Sequence, residues 1–138
     1  MRVLCGTDAT TISRIARAVE RGGERFVQRV FTPEETAFCD ACGKGRDASL
    51  AARFAAKEAV AKALGTGMAG GVAVRDIEIV RTSSGAPEVL LHKGARERYE
   101  SLGGTSLSIS LTHEGDLAIA MCVILCEGPP EPQGGHGA

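Results

Sequence analysis

The run Leu50-Ala-Ala-Arg53-Phe54-Ala-Ala-Lys57-Glu58-Ala-Val60-Ala61-Lys62-Ala-Leu64 limits this chain more than any other segment, and it breaks on Gly65-Thr66-Gly67. Its alanines favour a helix and let a neighbouring element approach closely. At about 100° per residue, Leu50, Phe54, Val60, Ala61 and Leu64 share an apolar face. Lys57 falls in the middle of that face, and Glu58 and Lys62 follow one flank. Two readings compete. Glu58 and Lys62 form a surface pair contributing about 0.2–0.5 kcal/mol, with Lys57 covering apolar surface with its stem. Alternatively, a rigid element offers a carboxylate to a metal and cations to phosphoryl oxygens.

The remaining elements fall around this helix. Met1 to Asp8 reads as a strand that leaves Asp8 at its end. Ile12, Ile15, Ala16 and Val19 repeat with helical spacing behind a Thr10 or Thr11 cap, with Arg14, Arg17 and Arg21 on the opposite face. Gly22-Gly23 stops that helix, and Glu24 to Val30 predicts another short one. Thr32-Pro33-Glu34-Glu35 is a capping box with proline at the first helical position, opening a helix to about Ala41. Residues 43–46 predict a flexible loop, and Asp47 or Ser49 is expected to cap the long helix.

After Gly70-Gly71 the apolar period changes from 3.6 to 2. Asp76 to Arg81 and Glu88 to Leu91 predict a hairpin around Ser83-Ser84-Gly85. Lys93 to Leu102 predicts a short helix. Thr105 to Thr112 and Asp116 to Leu125 predict a second hairpin turning at His113-Glu114-Gly115. The expected fold class is α+β, an antiparallel sheet packed on a long central helix. Residues 1–126 are expected to form one domain, and 127–138 a low-complexity, disordered tail.

Composition narrows the function classes. With 16 Lys+Arg against 17 Asp+Glu and a net charge of -1, the molecule as a whole has no electrostatic case for nucleic acid, so an anionic partner must meet a local patch. No run approaches the roughly 20 apolar residues of a membrane span, and the N-terminus lacks a signal-peptide pattern. A cytoplasmic protein is expected. Cys39-Asp-Ala-Cys42 has the spacing of half a zinc site, but Cys5, Cys122 and Cys126 are isolated and the odd count of five fits free thiols in a reducing compartment. Cys5 and Cys122, within apolar runs, are expected to be small core residues. Ser110, His113 and Asp116 make only a weak triad, since the chain has no Gly-x-Ser-x-Gly turn.

The segment 54–65 together with Gly6-Thr7-Asp8 resembles the two signatures of the phosphopantetheinyl transferases, of the short holo-acyl-carrier-protein synthase type. Arg14-Ile15, Gly85-Ala-Pro87 and Ser110-Leu-Thr112-His113 match in the same order, so the likeness spans Val3 to Leu125. Thr7, Ala9, Thr10 and Thr11 depart from the aliphatic pattern usual around the aspartate, and Thr112 stands where the family commonly has serine.

The resemblance implies transfer of the 4'-phosphopantetheine arm of coenzyme A to a serine of an acyl carrier protein, of fatty-acid or polyketide type, with release of 3',5'-ADP. It implies Mg²⁺ held by Asp8 and Glu58, Glu58 or a bound water as the base, and Lys62 on the diphosphate. Arg53 and Lys57 are implied as further phosphate ligands. Gly65, Thr66 and Gly67 are expected to bring backbone amides to the nucleotide, with Pro87, Thr112 and His113 near its pocket. The basic stripe Arg14, Arg17 and Arg21 is the expected docking face for an acidic carrier. A homotrimer with coenzyme A bound where subunits meet is also implied. Two competitors remain: a non-catalytic module that binds coenzyme A or carrier, suggested by the Thr7 to Thr11 departures, and another Mg²⁺-dependent phosphotransferase or phosphatase.

Overall fold

Alternation of side chains decides where the N-terminal strand packs. A computed structural model describes residues 1–67 and 72–128. In it, β1 (Arg2–Thr11) exposes Val3, Cys5, Thr7 and Ala9 and turns Leu4, Gly6, Asp8 and Thr10 inward. The inward residues meet α3 (Arg46–Ala63), whose Ala55, Ala59 and Ala63 are buried against the sheet. Gly6 is required at this crossing. A Cβ added there would collide with the Ala59 carbonyl oxygen and lie 2.7 Å from the Ala63 nitrogen. The seam of small residues therefore brings strand and helix backbones together, and Asp8 lands one inward position beyond the contact.

β1 pairs antiparallel with β5 (Leu117–Cys126), which pairs antiparallel with β4 (Gly104–Glu114), giving the order β1-β5-β4. Inward residues Ala118, Ala120, Cys122, Ile124 and Cys126 of β5 are buried against α3. β2 (Ile77–Arg81) and β3 (Pro87–Leu91) form a separate antiparallel hairpin, and α4 (Lys93–Ser101) links it to β4. The expected α+β architecture, with antiparallel strands on a long central helix, is what the chain adopts.

α1 (Ile12–Val30) is broken at Gly23, whose φ of 55° and ψ of -146° end one helical segment and start the next, as Gly22-Gly23 predicted. α2 (Pro33–Asp40) opens on the capping box formed by Thr32 and Glu35. A second core gathers Ile15, Val27, Phe31, Cys39, Leu50 and Ala118 beneath α1 and α2.

Several expectations are corrected. β1 continues through Thr11 because its whole length pairs with β5, so Asp8 lies within the strand and not at its end. Thr11 occupies the cap position of α1 without a side-chain bond, and Thr10 turns its hydroxyl to Asp8 instead. Residues 43–45 form a 3-10 turn that runs directly into α3, so neither Asp47 nor Ser49 caps that helix. Cys5 is exposed, since it shares the outward parity of β1, whereas Cys122 is buried. All five cysteines are free. His113 belongs to β4, which extends to Glu114. Ser110 and His113 differ by an odd number of positions and face opposite sides of β4, so they assemble no triad. The break at Gly70-Gly71 and the tail residues 129–138 lie outside the described residues. Glu127 donates its backbone N–H to the Gly103 carbonyl.

Candidate active site

β1 and α3 each bring one carboxylate within electrostatic reach of the other. Asp8 projects inward from β1 and remains half-buried. Its Oδ1 accepts from Lys62 Nζ at 3.2 Å, and its Oδ2 accepts from the Thr10 hydroxyl at 2.7 Å. Lys62 Nζ also donates to the Thr7 carbonyl at 3.0 Å. The lysine side chain is about half exposed, at 51 %, so its ammonium is held over the strand with room for further acceptors.

Glu58 stands one turn before Lys62 on α3. Burial raises its pKa, and the negative charge of Asp8 raises it further, while Lys62 and Arg14 oppose the shift. Four groups from three elements therefore share one field: Asp8 from β1, Arg14 from α1, Glu58 and Lys62 from α3. A half-buried carboxyl with a raised pKa beside a second carboxylate has the setting of a proton acceptor or of one arm of a cation site. Among the described residues no group of three or more His, Cys, Asp or Glu side chains forms a metal cage. Two hard carboxylates still suit Mg²⁺, which commonly takes one or two protein oxygens and fills its octahedron with water and phosphate.

The other half of the α3 constellation is placed differently. Lys57 is fully buried and its Nζ donates to Glu35 Oε1 at 2.7 Å, to the Ile77 carbonyl at 2.6 Å and to the Val74 carbonyl at 3.4 Å. Three donors meet three acceptors, so none remains for a phosphate. Burial lowers the Lys57 pKa against the pull of Glu35. Arg53 is also buried. It donates to the Ser49 hydroxyl at 2.9 Å and stacks 4.1 Å from the centre of the Phe38 ring, which Arg81 approaches as well. Within the chain these two cations knit α3 to α2 and β2 and do not join the Asp8 cluster.

The sequence marks Glu35 only as part of a helix cap. It is also the hub of this interior network: Oε1 accepts from the Thr32 N–H and Lys57, and Oε2 accepts from the Ile79 N–H at 2.9 Å. Glu78 extends it, accepting from the Thr32 hydroxyl at 2.8 Å and pairing with His92 Nε2 at 3.0 Å. Burial pushes the Glu78 pKa up, but the hydrogen bonds from His92 and Thr32 outweigh it and hold the group below its usual value. The capping motif signals Glu35, but only the fold reveals its second set of partners.

The turn after α3 keeps its glycines for conformation. Gly65 and Gly67 have φ of 80° and 56°, and their N–H groups bond the Lys62 and Ala61 carbonyls. Those two amides are therefore engaged by the helix end, contrary to the expectation that they face a nucleotide. Thr66 donates its hydroxyl to the Gly67 carbonyl. Pro87 opens β3, and Thr112 and His113 are exposed near the far end of β4. Thr112 pairs across β5 with the row of Ala9 and shares its outward face, while His113 shares the inward parity of Asp8. Arg14, Arg17 and Arg21 are all exposed on α1.

A family model described as the 4'-phosphopantetheinyl transferase superfamily matches residues 4–122. The chain is 47% identical over 124 residues to a holo-[acyl-carrier-protein] synthase of Ruminiclostridium cellulolyticum, covering 90% of this chain and 92% of the relative. It is 50% identical over 128 residues to one from a Methylobacterium species, covering 90% and 94%. Among solved structures it is similar to the holo-[acyl-carrier-protein] synthase of Neisseria meningitidis, with a TM-score of 0.81 and 38% identity over 88% of this chain and 97% of that one. The Helicobacter pylori synthase, solved in complex with coenzyme A, gives a TM-score of 0.78 and 34% identity over 88% and 100%.

Proposed function

The chain belongs to the 4'-phosphopantetheinyl transferase superfamily, and we propose that it acts as a holo-[acyl-carrier-protein] synthase through the cluster of Asp8, Glu58 and Lys62. The reaction moves the phosphopantetheine arm of coenzyme A to a serine of an apo acyl carrier protein. The serine oxygen attacks the phosphorus next to the pantetheine, the bond to 3',5'-ADP breaks, and the serine proton needs an acceptor. One observation carries the reading: two carboxylates 50 residues apart in sequence share one electrostatic environment, with Lys62 bonded to the first.

Glu58 supplies the acceptor, either directly or through water, and its raised pKa places it nearer to working pH than an ordinary glutamate. Lys62, held at the strand by the Thr7 carbonyl and Asp8, is the cation for the diphosphate oxygens. Asp8 and Glu58 are the residues that would hold Mg²⁺, whose charge would offset the anionic phosphates. Thr10 orients Asp8 for this purpose, so this one departure from the aliphatic pattern supports the carboxylate.

Arg14, Arg17 and Arg21 offer an acidic carrier a complementary face next to Glu58, and Arg14 already acts on the Glu58 charge. Self-association is part of the same proposal. The outward face of the β1-β5-β4 sheet exposes Val3, Leu117, Ile119 and Met121, an apolar row that supports self-association, for which a homotrimer is the proposed form. Thr112 and Ala9 lie on that outward face too, and Pro87, Thr112 and His113 are read as contributing to a nucleotide pocket completed by a neighbouring subunit. No helix of the described residues is long and apolar enough to cross a membrane, and a cytoplasmic location fits the proposed carrier.

Incubation of the protein with apo carrier, coenzyme A and Mg²⁺, followed by the intact mass of the carrier, tests the proposal. A gain of the pantetheine arm supports it. Unchanged carrier and intact coenzyme A select a binding module, and coenzyme A breakdown without carrier labelling selects a hydrolase.

A further inference from the structure

The first turn of α1 carries no acidic residue and its cap position, Thr11, forms no side-chain bond. Helix N-termini leave backbone N–H groups without partners, and a negative charge there is stabilising. The partner comes from more than 100 positions away. Asp116, in the turn between β4 and β5, accepts the Ile12 N–H on its backbone carbonyl at 2.8 Å. Its carboxylate accepts the Ser13 N–H on Oδ1 at 2.9 Å and the Ser13 hydroxyl on Oδ2 at 2.6 Å. The pairing of Thr11 with Leu117 brings that turn to the junction of β1 and α1.

We infer that Asp116 is a positioning residue for the carrier, because its clamp on Ile12 and Ser13 fixes the angle at which Arg14, Arg17 and Arg21 leave the sheet. This rests on the reading of that arginine stripe as the docking face. Arg14 follows the clamped residue directly and reaches the field of Glu58. Arg17 and Arg21 lie one and two turns further on the same rigid segment, which runs without interruption to the break at Gly23. Ile15 anchors the helix to the second core, and the clamp adds a fixed point at its first turn. The clamp ties it to the sheet that also carries Asp8.

Steady-state kinetics on the full chain separates this role from general stability. Asp116→Ala is expected to raise KM for apo carrier about three- to ten-fold, in line with loss of a helix cap. KM for coenzyme A and kcat should stay at their wild-type values. Asp116→Asn keeps an acceptor for the Ser13 N–H and should recover most of the loss. Ser13→Ala, which retains the backbone bond, should be intermediate. Equal changes in KM for both substrates, or an unchanged carrier KM in Asp116→Ala, would overturn the inference. Arg17→Glu, measured alongside, distinguishes the layers. If it raises carrier KM while Asp116→Ala does not, the clamp alone fails. If Arg17→Glu leaves carrier KM unaltered, the docking reading fails and takes the clamp's role with it.

Discussion

Lys57 and Lys62 lie five residues apart on one helix and have opposite surroundings. Lys57 faces the interior, where Glu35 and two carbonyls absorb its three donors. Lys62 faces the strand edge, half exposed, with Asp8 as an open-sided partner. The same contrast separates Glu35 from Glu58: the first is buried and fully bonded, whereas the second is half-buried, with a proton affinity raised by burial and by its acidic neighbour. Charge on α3 thus does two jobs according to the face it occupies. The inner pair joins α2, α3 and β2, and the outer pair is the one proposed to meet substrate.

The sharpest way to break this comparison is Glu58→Gln. The substitution is expected to lower kcat by about 10²–10⁴-fold, the usual contribution of a positioned proton acceptor, in the carrier mass assay. Stability moves the other way. Because folding raises the Glu58 pKa, the folded chain binds that proton more tightly than the unfolded chain. Its contribution therefore becomes unfavourable as pH rises through the raised value. Glu58→Gln should melt no earlier than wild type at neutral pH, and any advantage should vanish in acid. A variant that loses both activity and melting temperature would place Glu58 in the structural class instead.

Lys57→Met is the converse. It leaves Glu35 buried without its cation, a defect of about 3–5 kcal/mol, so thermal melting should shift strongly downward. Whatever fraction remains folded should still label carrier. Gly6→Ala follows in size: the added methyl meets the α3 backbone, and overpacking of this kind costs about 1–3 kcal/mol. By pushing Asp8 from Glu58 and Lys62 it should also reduce activity beyond what the melt explains. The smallest effect is expected from Arg21→Glu, at the exposed end of the stripe. A few-fold rise in carrier KM that fades at high salt would support docking, and a salt-independent change would count against it.

Much of the fold is legible in the chain. The capping box at Thr32, the break at Gly23 and both hairpins follow from local turn and cap chemistry and from period-2 alternation. The family signatures point to Asp8, Glu58 and Lys62, and the fold brings them together. Helical spacing puts Lys57 in the middle of an apolar face, yet resemblance to phosphate ligands overrides that local signal, and the interior partner Glu35 lies 22 residues away where no periodicity connects them. Asp116 is hidden for the same reason, since its partners Ile12 and Ser13 become neighbours only when β1 pairs with β5. Cys5 is misplaced by sequence because apolar runs do not reveal which parity of a strand faces inward; the small-residue seam at Gly6 decides that.

The convergence of Asp8 and Glu58 is measured most directly by titrating the Glu58 side-chain carboxyl by ¹³C nuclear magnetic resonance in wild type and in Asp8→Asn. Convergence predicts a Glu58 pKa above its ordinary value that moves down when the Asp8 charge is removed. An unshifted Glu58, or one indifferent to Asp8, would contradict it.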